Sequence, residues 1–240
     1  MSLVRRIRGK LIRYWRGANK AAVRSTPLSL LGGVPHQLRI IPLGSGEGTW
    51  DVPEGVIDKS WICYTVGIGR DATFELDLAN KLKCTVVSFD PTHQSIEYLK
   101  QFEPLPFQFI PKAIWINEGH LDFYSQDIGN NVNLSAFDSG RGEVLFRVEC
   151  NRVKTMMTEL GHPRLDLLKM DIEGAWMPVI EDICATGVVP RIFCVEFDSP
   201  TSVRKVRRAV KLLAQQGLSL IHRRRDNYLF VDKSILENKA

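Results

Sequence analysis

The stretch that decides the fold is Cys63-Tyr-Thr-Val-Gly-Ile-Gly-Arg-Asp-Ala-Thr-Phe-Glu75. An apolar run is followed by two glycines, Gly67 and Gly69, and then by a segment with the apolar spacing of a helix. Glycines between a strand and a helix let the backbone approach a nucleotide closely. Twenty-one residues after Gly69, Asp90 ends the next apolar run. A carboxylate at that spacing can accept hydrogen bonds from both hydroxyls of an adenosine ribose.

Short apolar or β-branched runs alternate with helical patterns along the chain. The predicted strands are Trp61–Val66, Thr85–Phe89, Phe107–Ile110, Leu165–Met170 and Arg191–Phe197. The predicted helices are Asp71–Leu82, Thr92–Phe102, Arg152–Leu160, Ala175–Ala185 and Thr201–Gln216. This alternation predicts an α/β fold with a mostly parallel sheet and helices on both faces. Leu218–His222 and Tyr228–Val231, joined by a polar turn, predict an antiparallel hairpin at the end.

Two segments depart from this alternation. Ile114–Tyr124 contains the turn signal Asn117-Glu-Gly119 and predicts a hairpin. Pro27–Pro53 is rich in Gly and Pro and predicts loops around one apolar run, Leu38–Leu43. Gly44–Gly48 within it predicts a flexible turn, because it lacks the Lys-Ser/Thr pair of a phosphate-binding loop.

Charge is distributed unevenly along the chain. The 240 residues carry 32 Lys and Arg against 27 Asp and Glu, a net charge of +5. Eight of the basic residues and no acidic residue fall within residues 1–25, so the remaining 215 residues carry a net charge of −3. A mildly acidic body argues against a nucleic-acid-binding domain. We predict a basic amphipathic arm at residues 1–25, a linker and lead-in segment at 26–57, and the folded domain at 58–240.

The arm has helical apolar spacing, with Val4, Ile7, Leu11 and Trp15 recurring every 3 or 4 residues. Three interpretations follow. The arm lies on an anionic membrane surface with its arginines toward the headgroups, it contacts nucleic-acid phosphates, or it docks on the domain or on a second subunit. The nucleic-acid interpretation is the weakest of the three.

Cellular location is predicted from what the sequence lacks. No apolar run approaches the roughly 18 residues that span a bilayer. The five cysteines form no CxxC pair, and their odd number fits a reducing compartment. We expect a cytoplasmic protein, peripheral on the inner membrane face if the arm binds lipid.

Acidic residues end two further predicted strands. Leu165-Asp-Leu-Leu-Lys-Met-Asp-Ile-Glu-Gly-Ala175 places Asp171 and Glu173 after a buried strand, and Cys194-Val-Glu-Phe-Asp198 places Glu196 and Asp198 after the next. The carboxyl ends of parallel strands meet at one edge, where open α/β sheets bind ligands. Carboxylates there suit a general base or a divalent cation, with helix capping as the structural alternative. The spacing of possible ligands does not support a metal site.

Three motifs resemble the FkbM family of S-adenosylmethionine-dependent methyltransferases over about residues 48–232: Cys63–Glu75, Val87-Ser-Phe-Asp-Pro91 and Leu168-Lys-Met-Asp-Ile-Glu-Gly174. The resemblance implies a Rossmann-like class I methyltransferase fold of seven strands, the last antiparallel, and S-adenosyl-L-methionine as cofactor. Many members have Asp two residues before the first motif glycine, where this chain has Thr65. In a subset that has Gly-x-Gly-x-Asp-x-x-Phe, as here, Asp71 and Glu75 take over part of the amine recognition. The cofactor-binding residues implied are Val66, Gly67, Gly69, Asp71, Glu75, Asp90 and Pro91.

Methyl transfer from a sulfonium is an in-line displacement, so the chain must mainly align the reacting atoms. A hydroxyl acceptor must also lose a proton, which a positioned base accelerates by roughly 10²–10⁴-fold. The candidate bases are Asp171, Glu173, Glu196 and His93, the last because it follows Asp90-Pro91. By family analogy the acceptor is a hydroxyl on a sugar, glycolipid or secondary metabolite.

Two other functions stay open. Gly67-x-Gly69-x-x-Ala72 also fits the dinucleotide form G-x-G-x-x-G/A, which would suit an NAD-dependent oxidoreductase. No Tyr is followed four residues later by Lys, and no second domain remains to bind a reducible substrate. The other alternative is a non-catalytic, membrane-associated binding module that kept the fold.

Overall fold

The predicted alternation folds into one central sheet with helices on both sides. The computed structural model describes residues 14–15, 17–128, 131–135, 144–199 and 201–237. Helix α1 covers residues 17–25. The other helices are α2 Thr73–Asn80, α3 His93–Leu99, α4 Val153–Glu159, α5 Trp176–Ala185, α6 Val203–Gln215 and α7 Lys233–Glu237. The strands are β1 Ile40–Leu43, β2 Trp50–Pro53, β3 Ile62–Val66, β4 Thr85–Phe89, β5 Gln108–Ile110, β6 Ala113–Ile114, β7 Gly119–Ile128, β8 Asn131–Ser135, β9 Val144–Asn151, β10 Leu167–Met170, β11 Ile192–Glu196, β12 Leu218–Arg224 and β13 Asn227–Asp232.

The central sheet has seven strands in the order β12-β13-β11-β10-β3-β4-β5. The five strands from β11 to β5 are parallel, and β13 runs antiparallel to both of its neighbours. Strands buried on both faces are rich in apolar and β-branched residues, which is why β3, β4 and β10 were recognisable from the sequence. The predicted class I arrangement with a terminal antiparallel hairpin is confirmed. The connections reverse direction between β3 and β10, and this is where open α/β sheets bind their ligands.

The segment between β5 and α4 differs from the prediction. The turn at Asn117–Gly119 is present, but the predicted hairpin across it is wrong. Ala113 of β6 and Gly119 of β7 both pair with Cys150, from opposite sides of β9. With β8 they form a separate four-stranded sheet, β6-β9-β7-β8. A local pattern cannot show this pairing, since β9 lies about 30 residues away.

The lead-in segment contains a hairpin that the sequence pattern only half predicted. β1 pairs with β2, a strand that ends in Pro53 and so gave no strand signal. The predicted flexible turn between them is held to the start of α2. Gly44 N donates to Asp77 Oδ2 at 2.9 Å, and Gly48 N donates to Asp71 Oδ2 at 2.8 Å. The hairpin therefore forms part of the wall around the β3–α2 turn.

The end of the basic arm packs on the domain. Lys20 Nζ and Arg24 Nη2 lie 2.8 and 2.6 Å from Asp226 Oδ2. Arg223 donates to the carbonyl oxygens of residues 23, 24 and 26, and the Val23 side chain is buried in the core. Docking on the domain is thus observed for residues 17–25. Val4, Ile7 and Leu11 lie outside the described residues. Within the described chain, no helix is long and apolar enough to cross a bilayer.

Candidate functional site

A cavity of about 480 Å³ opens at the carboxyl ends of β3, β4 and β10. It therefore lies where the strand order reverses. The predicted residues that line it are Val66, Gly67, Gly69, Asp71, Asp90, Pro91, Asp171 and Glu173. Three predicted residues, Glu75, Glu196 and His93, are not among its lining.

The two motif glycines have different structural roles. Gly67 has φ +83°, and a Cβ built on it would lie 1.9 Å from the carbonyl oxygen of Asp171. Its amide donates to Phe89 O at 2.9 Å. The backbone of β3 thus passes between β4 and β10 at a point where no side chain fits. Gly69 has φ +63°, but a Cβ there would meet nothing within 4 Å.

Asp90 fixes the loop that carries these glycines. Its Oδ2 accepts hydrogen bonds from Ile68 N at 2.8 Å and from Gly69 N at 3.0 Å. Its Oδ1 accepts from Thr92 N at 2.9 Å and from Thr92 Oγ1 at 2.7 Å. A carboxylate has about four acceptor positions, and these contacts fill them. A ribose hydroxyl could bind Asp90 only by replacing the Thr92 hydroxyl or by sharing an oxygen.

Asp71 carries a negative charge into the cavity wall. Its pKa is lowered below the ordinary value of 3.8, although burial alone would raise it. The hydrogen bonds from Thr73 and from Gly48 N stabilise the ionised form and outweigh that desolvation. Because these donors also connect the β1–β2 turn to α2, Asp71 links the hairpin to the motif loop.

A buried ion pair that sequence reasoning missed lies at the cavity wall. Lys169, only 3% exposed, lies 3.6 Å from Glu75 Oε1, and Glu75 is fully buried. Lys169 Nζ also donates to Gly67 O and lies 5.4 Å from the centre of the Trp50 ring. Neither oxygen of Glu75 has a hydrogen-bond partner. Glu75, predicted to contact the cofactor, does not line the cavity and contacts Lys169 instead. It is Lys169 that lines the cavity.

A signal for Lys169 was present in the sequence. A lysine inside the apolar run Leu165–Met170 must bury its charge, and a buried charge needs a partner. The acid at Glu75 stands among apolar residues of α2 in the same way. What the sequence could not show is that these two side chains, one on α2 and one on β10, contact each other.

The predicted grouping of carboxylates from β10 and β11 is present. Burial raises the pKa of Glu196 to about 10, with further contributions from the charge of Asp171, from a hydrogen bond with it, and from Asp198 and Glu173. Burial likewise raises the pKa of Asp198 to about 8, aided by a hydrogen bond with Glu173 and by its charge. Each pair can hold one proton between two carboxyl groups. Asp171 and Glu173 face the cavity, with Glu196 and Asp198 behind them.

The turn after β10 sets the position of Glu173. Glu173 has φ +30° and Gly174 has φ +77°, so two consecutive residues adopt left-handed backbone angles. Such a conformation is unfavourable for Glu and persists only where neighbouring contacts hold it. Gly174 N donates to Asp198 Oδ1 at 2.7 Å, and Trp176 Nε1 donates to Asp198 O at 3.3 Å. Asp198 therefore holds the turn in place.

Stability should depend on pH through Glu196. An acid with a raised pKa holds a proton in the folded chain that the unfolded chain releases above its ordinary value of 4.5. This contribution to stability is complete below about pH 4.5 and is lost as the pH rises toward about 10. We expect Glu196→Gln to match the parent at pH 5 and to unfold with a free energy higher by about 1–3 kcal/mol at pH 9.

Chemical denaturation at both pH values measures this difference. Glu97→Gln is the control, because Glu97 is exposed and its pKa is lowered by a hydrogen bond from Lys100. If both variants show the same change between pH 5 and pH 9, the carboxyl pair does not hold a proton.

Two of the predicted bases, His93 and Glu196, do not line the cavity, and they lie in different surroundings. The side chain of His93 is 86% exposed at the start of α3, with Nδ1 3.9 Å from Glu97 Oε1. Its proximity to Asp90 in sequence does not bring it to the cavity, because α3 turns away after Thr92, the residue that caps it. Glu196, by contrast, is separated from the cavity only by the carboxyl group of Asp171, with which it is in contact.

The separate sheet supplies part of the cavity wall that sequence reasoning did not predict. Leu121 and Phe123 of β7 line the cavity together with Trp115. Phe123 stacks on Phe146 of β9 at 5.1 Å between ring centres, with 8° between the ring planes. The one sequence signal for this wall is that Leu121 and Phe123 are two residues apart in β7, so both side chains lie on the same face of the strand. Among the described residues, no group of three His, Cys, Asp or Glu side chains could hold a metal ion.

The chain is similar to known proteins. The model of the methyltransferase FkbM domain matches residues 63–208. Human "Probable methyltransferase-like protein 24" is 24% identical over 206 residues, covering 79% of this chain and 50% of that protein, so the chain spans about half the length of this relative. The crystal structure of monomeric WbdD aligns at 13% identity with a TM-score of 0.39, covering 72% of this chain and 36% of that chain. Because the family model matches more than half of its length, this chain belongs to the methyltransferase FkbM domain family.

Proposed function

We propose that this chain is an S-adenosylmethionine-dependent methyltransferase that acts on a hydroxyl oxygen of a sugar, glycolipid or secondary metabolite. The observation that carries the proposal is the charge of the cavity. Its lining contains five carboxylates, Glu47, Asp71, Asp90, Asp171 and Glu173, against two cations, Arg70 and Lys169. A negative wall favours a ligand with net positive charge, and the cofactor carries a sulfonium and an ammonium against one carboxylate.

The cavity also suits the remaining parts of the cofactor. Its volume of about 480 Å³ lies within the range of roughly 300–1,000 Å³ usual for small-molecule sites. Phe89, Ile114 and Trp115 provide an apolar wall that would hold the adenine ring. The backbone at Gly69 borders open space and would receive the methionine moiety, with Asp71 beside it. When bound, the cofactor supplies the electrophilic methyl group.

The chain's own residues would then orient the acceptor and take its proton. Asp171 and Glu173 are the only carboxylates that the β10 turn presents to the cavity in the described chain. Each contacts a second carboxyl group whose pKa is raised. Asp171 would therefore accept the proton of the hydroxyl, while Glu196, already protonated at neutral pH, donates a hydrogen bond to it. Such a base contributes roughly 10²–10⁴-fold to the rate for a hydroxyl acceptor. The preference for oxygen over other acceptor atoms rests on family analogy.

Calorimetry with S-adenosylhomocysteine tests the proposal. We expect saturable binding of one equivalent, weakened at least about tenfold in Asp90→Ala because the motif loop loses the acceptor that holds it. His93→Ala is the matched control and should bind as the parent does, since His93 lies outside the cavity.

Two outcomes would contradict the proposal. The parent chain could fail to bind S-adenosylhomocysteine, or Asp90→Ala could bind as tightly as the parent. Saturable binding of NADH without any response to S-adenosylhomocysteine would support the oxidoreductase instead. Wild-type affinity without turnover across a panel of glycans and lipids would support a binding module.

A further inference from the structure

We propose that the face built by α1, the turn after it and α6 binds the surface of an anionic membrane. We call it the N-terminal face and define it by the residues Tyr14, Trp15, Leu30, Val34, Arg204, Arg207 and Lys211. The proposal is independent of the reaction in the cavity.

Exposed apolar side chains are concentrated in the N-terminal part of the described chain. Five large apolar side chains are exposed in the part of the chain that the structure describes, and four of them lie between residues 14 and 34. Tyr14 is 72% exposed, Trp15 63%, Leu30 57% and Val34 37%. Single exposed apolar residues are ordinary, but a group of them marks an interaction site. Aromatic rings are favoured at the boundary between headgroups and acyl chains.

Basic residues of α6 adjoin the turn that carries Leu30. Val206, Ala209, Val210 and Leu213 are buried against the sheet, which leaves Arg204, Arg207 and Lys211 on the outer side of the helix. Arg207 Nε donates to Leu30 O at 2.7 Å and so joins α6 to the turn after α1. Arg204 and Lys211 have no ion-pair partner among the described residues. Their charge is therefore available to a partner outside the chain.

The contacts of α1 attach it to the domain. Asp226 holds Lys20 and Arg24, and Val23 is buried, so α1 is attached at its C-terminal end. Tyr14 and Trp15 are helical as well and precede this attached helix in the sequence. The exposed aromatic side chains of Tyr14 and Trp15 are therefore close in sequence to a helix that is docked on the domain.

The combination of apolar and basic side chains selects the partner. A nucleic acid would need cations for its phosphates, but exposed Leu30 and Val34 would gain nothing from that contact. A bilayer with anionic lipids uses both, because cations attract the headgroups and apolar side chains enter the interface.

Flotation of the full chain with vesicles tests this proposal. We expect binding to vesicles of phosphatidylcholine with about 30% phosphatidylserine, weak binding to phosphatidylcholine alone, and release by added salt. Arg204→Glu/Lys211→Glu should lower the partition coefficient at least about tenfold. Trp15→Ser should lower it on the same vesicles without changing the preference for anionic lipid. The matched control is Lys59→Glu/Lys233→Glu, with the same change in net charge at two exposed residues that precede β3 and follow β13.

Three results would overturn the proposal. Equal binding to vesicles with and without phosphatidylserine would show that charge does not contribute to binding. If the partition coefficient of the control variant falls by the same factor, the loss of binding is due to net charge and not to the residues of this face. Tighter binding to a single-stranded RNA homopolymer, lost with the same residues, would make the partner a nucleic acid. Circular dichroism of each variant tests whether the fold is kept. The release of the unmodified chain from anionic vesicles by salt tests the role of charge without any variant.

Discussion

Gly67→Ala is expected to abolish binding of S-adenosylhomocysteine and to lower the free energy of unfolding by about 3 kcal/mol or more. The added Cβ would lie 1.9 Å from the carbonyl oxygen of Asp171, which belongs to the backbone and cannot rotate away. Either β3 or β10 must shift at its carboxyl end. Because Asp171 itself lines the cavity, that shift moves a wall of the site.

Gly69→Ala is the matched control for this variant. Its backbone angle is also left-handed, at φ +63°, but a Cβ there meets nothing within 4 Å. The expected cost is therefore only the backbone term of about 1–2 kcal/mol. Thermal unfolding and calorimetry on the two variants separate the steric effect from the loss of a glycine. Equal losses of stability in both would show that the approach of Asp171 to Gly67 is not a constraint.

The elements nearest the cavity were the most predictable from sequence. Strands β3, β4 and β10 are buried along almost their whole length and are rich in apolar and β-branched residues. Their carboxyl ends meet because parallel strands share a direction, so the convergence of Asp90 and Asp171 follows from the alternation of strands and helices alone. The carboxylate pairs of β10 and β11 follow from the same geometry.

Contacts between segments distant in sequence were not predictable. β6 and β7 pair with β9, and the β1–β2 turn is held by Asp71, because partners are chosen by the folded topology. The role of Asp90 illustrates the same limit. The spacing predicted a carboxylate at the right edge of the sheet, but its hydrogen bonds to the loop and to Thr92 depend on where α3 begins.

Lys169→Met is expected to destabilise the fold by about 3–5 kcal/mol, because it leaves the carboxylate of Glu75 buried without its cation. Glu75 is fully buried, and neither of its oxygens has a hydrogen bond that could replace the lost interaction. Lys112→Met is the control. Lys112 Nζ lies 3.0 Å from Glu149 Oε2, closer than Lys169 to Glu75, but both side chains are partly exposed. We expect that variant to lose far less stability than Lys169→Met, because water screens an exposed ion pair.

The double variant Lys169→Met/Glu75→Leu distinguishes stability from binding. Removing both charges should recover most of the stability, since a buried ion pair is often no better than apolar residues of similar volume. Binding of S-adenosylhomocysteine should not recover, because the donor to Gly67 O that holds the motif loop is still missing. Recovery of both properties would reduce Lys169 to a partner of Glu75. Recovery of stability without recovery of binding would show that Lys169 is needed for ligand binding in the cavity. The role of Glu75 would then be to stabilise the buried charge of Lys169.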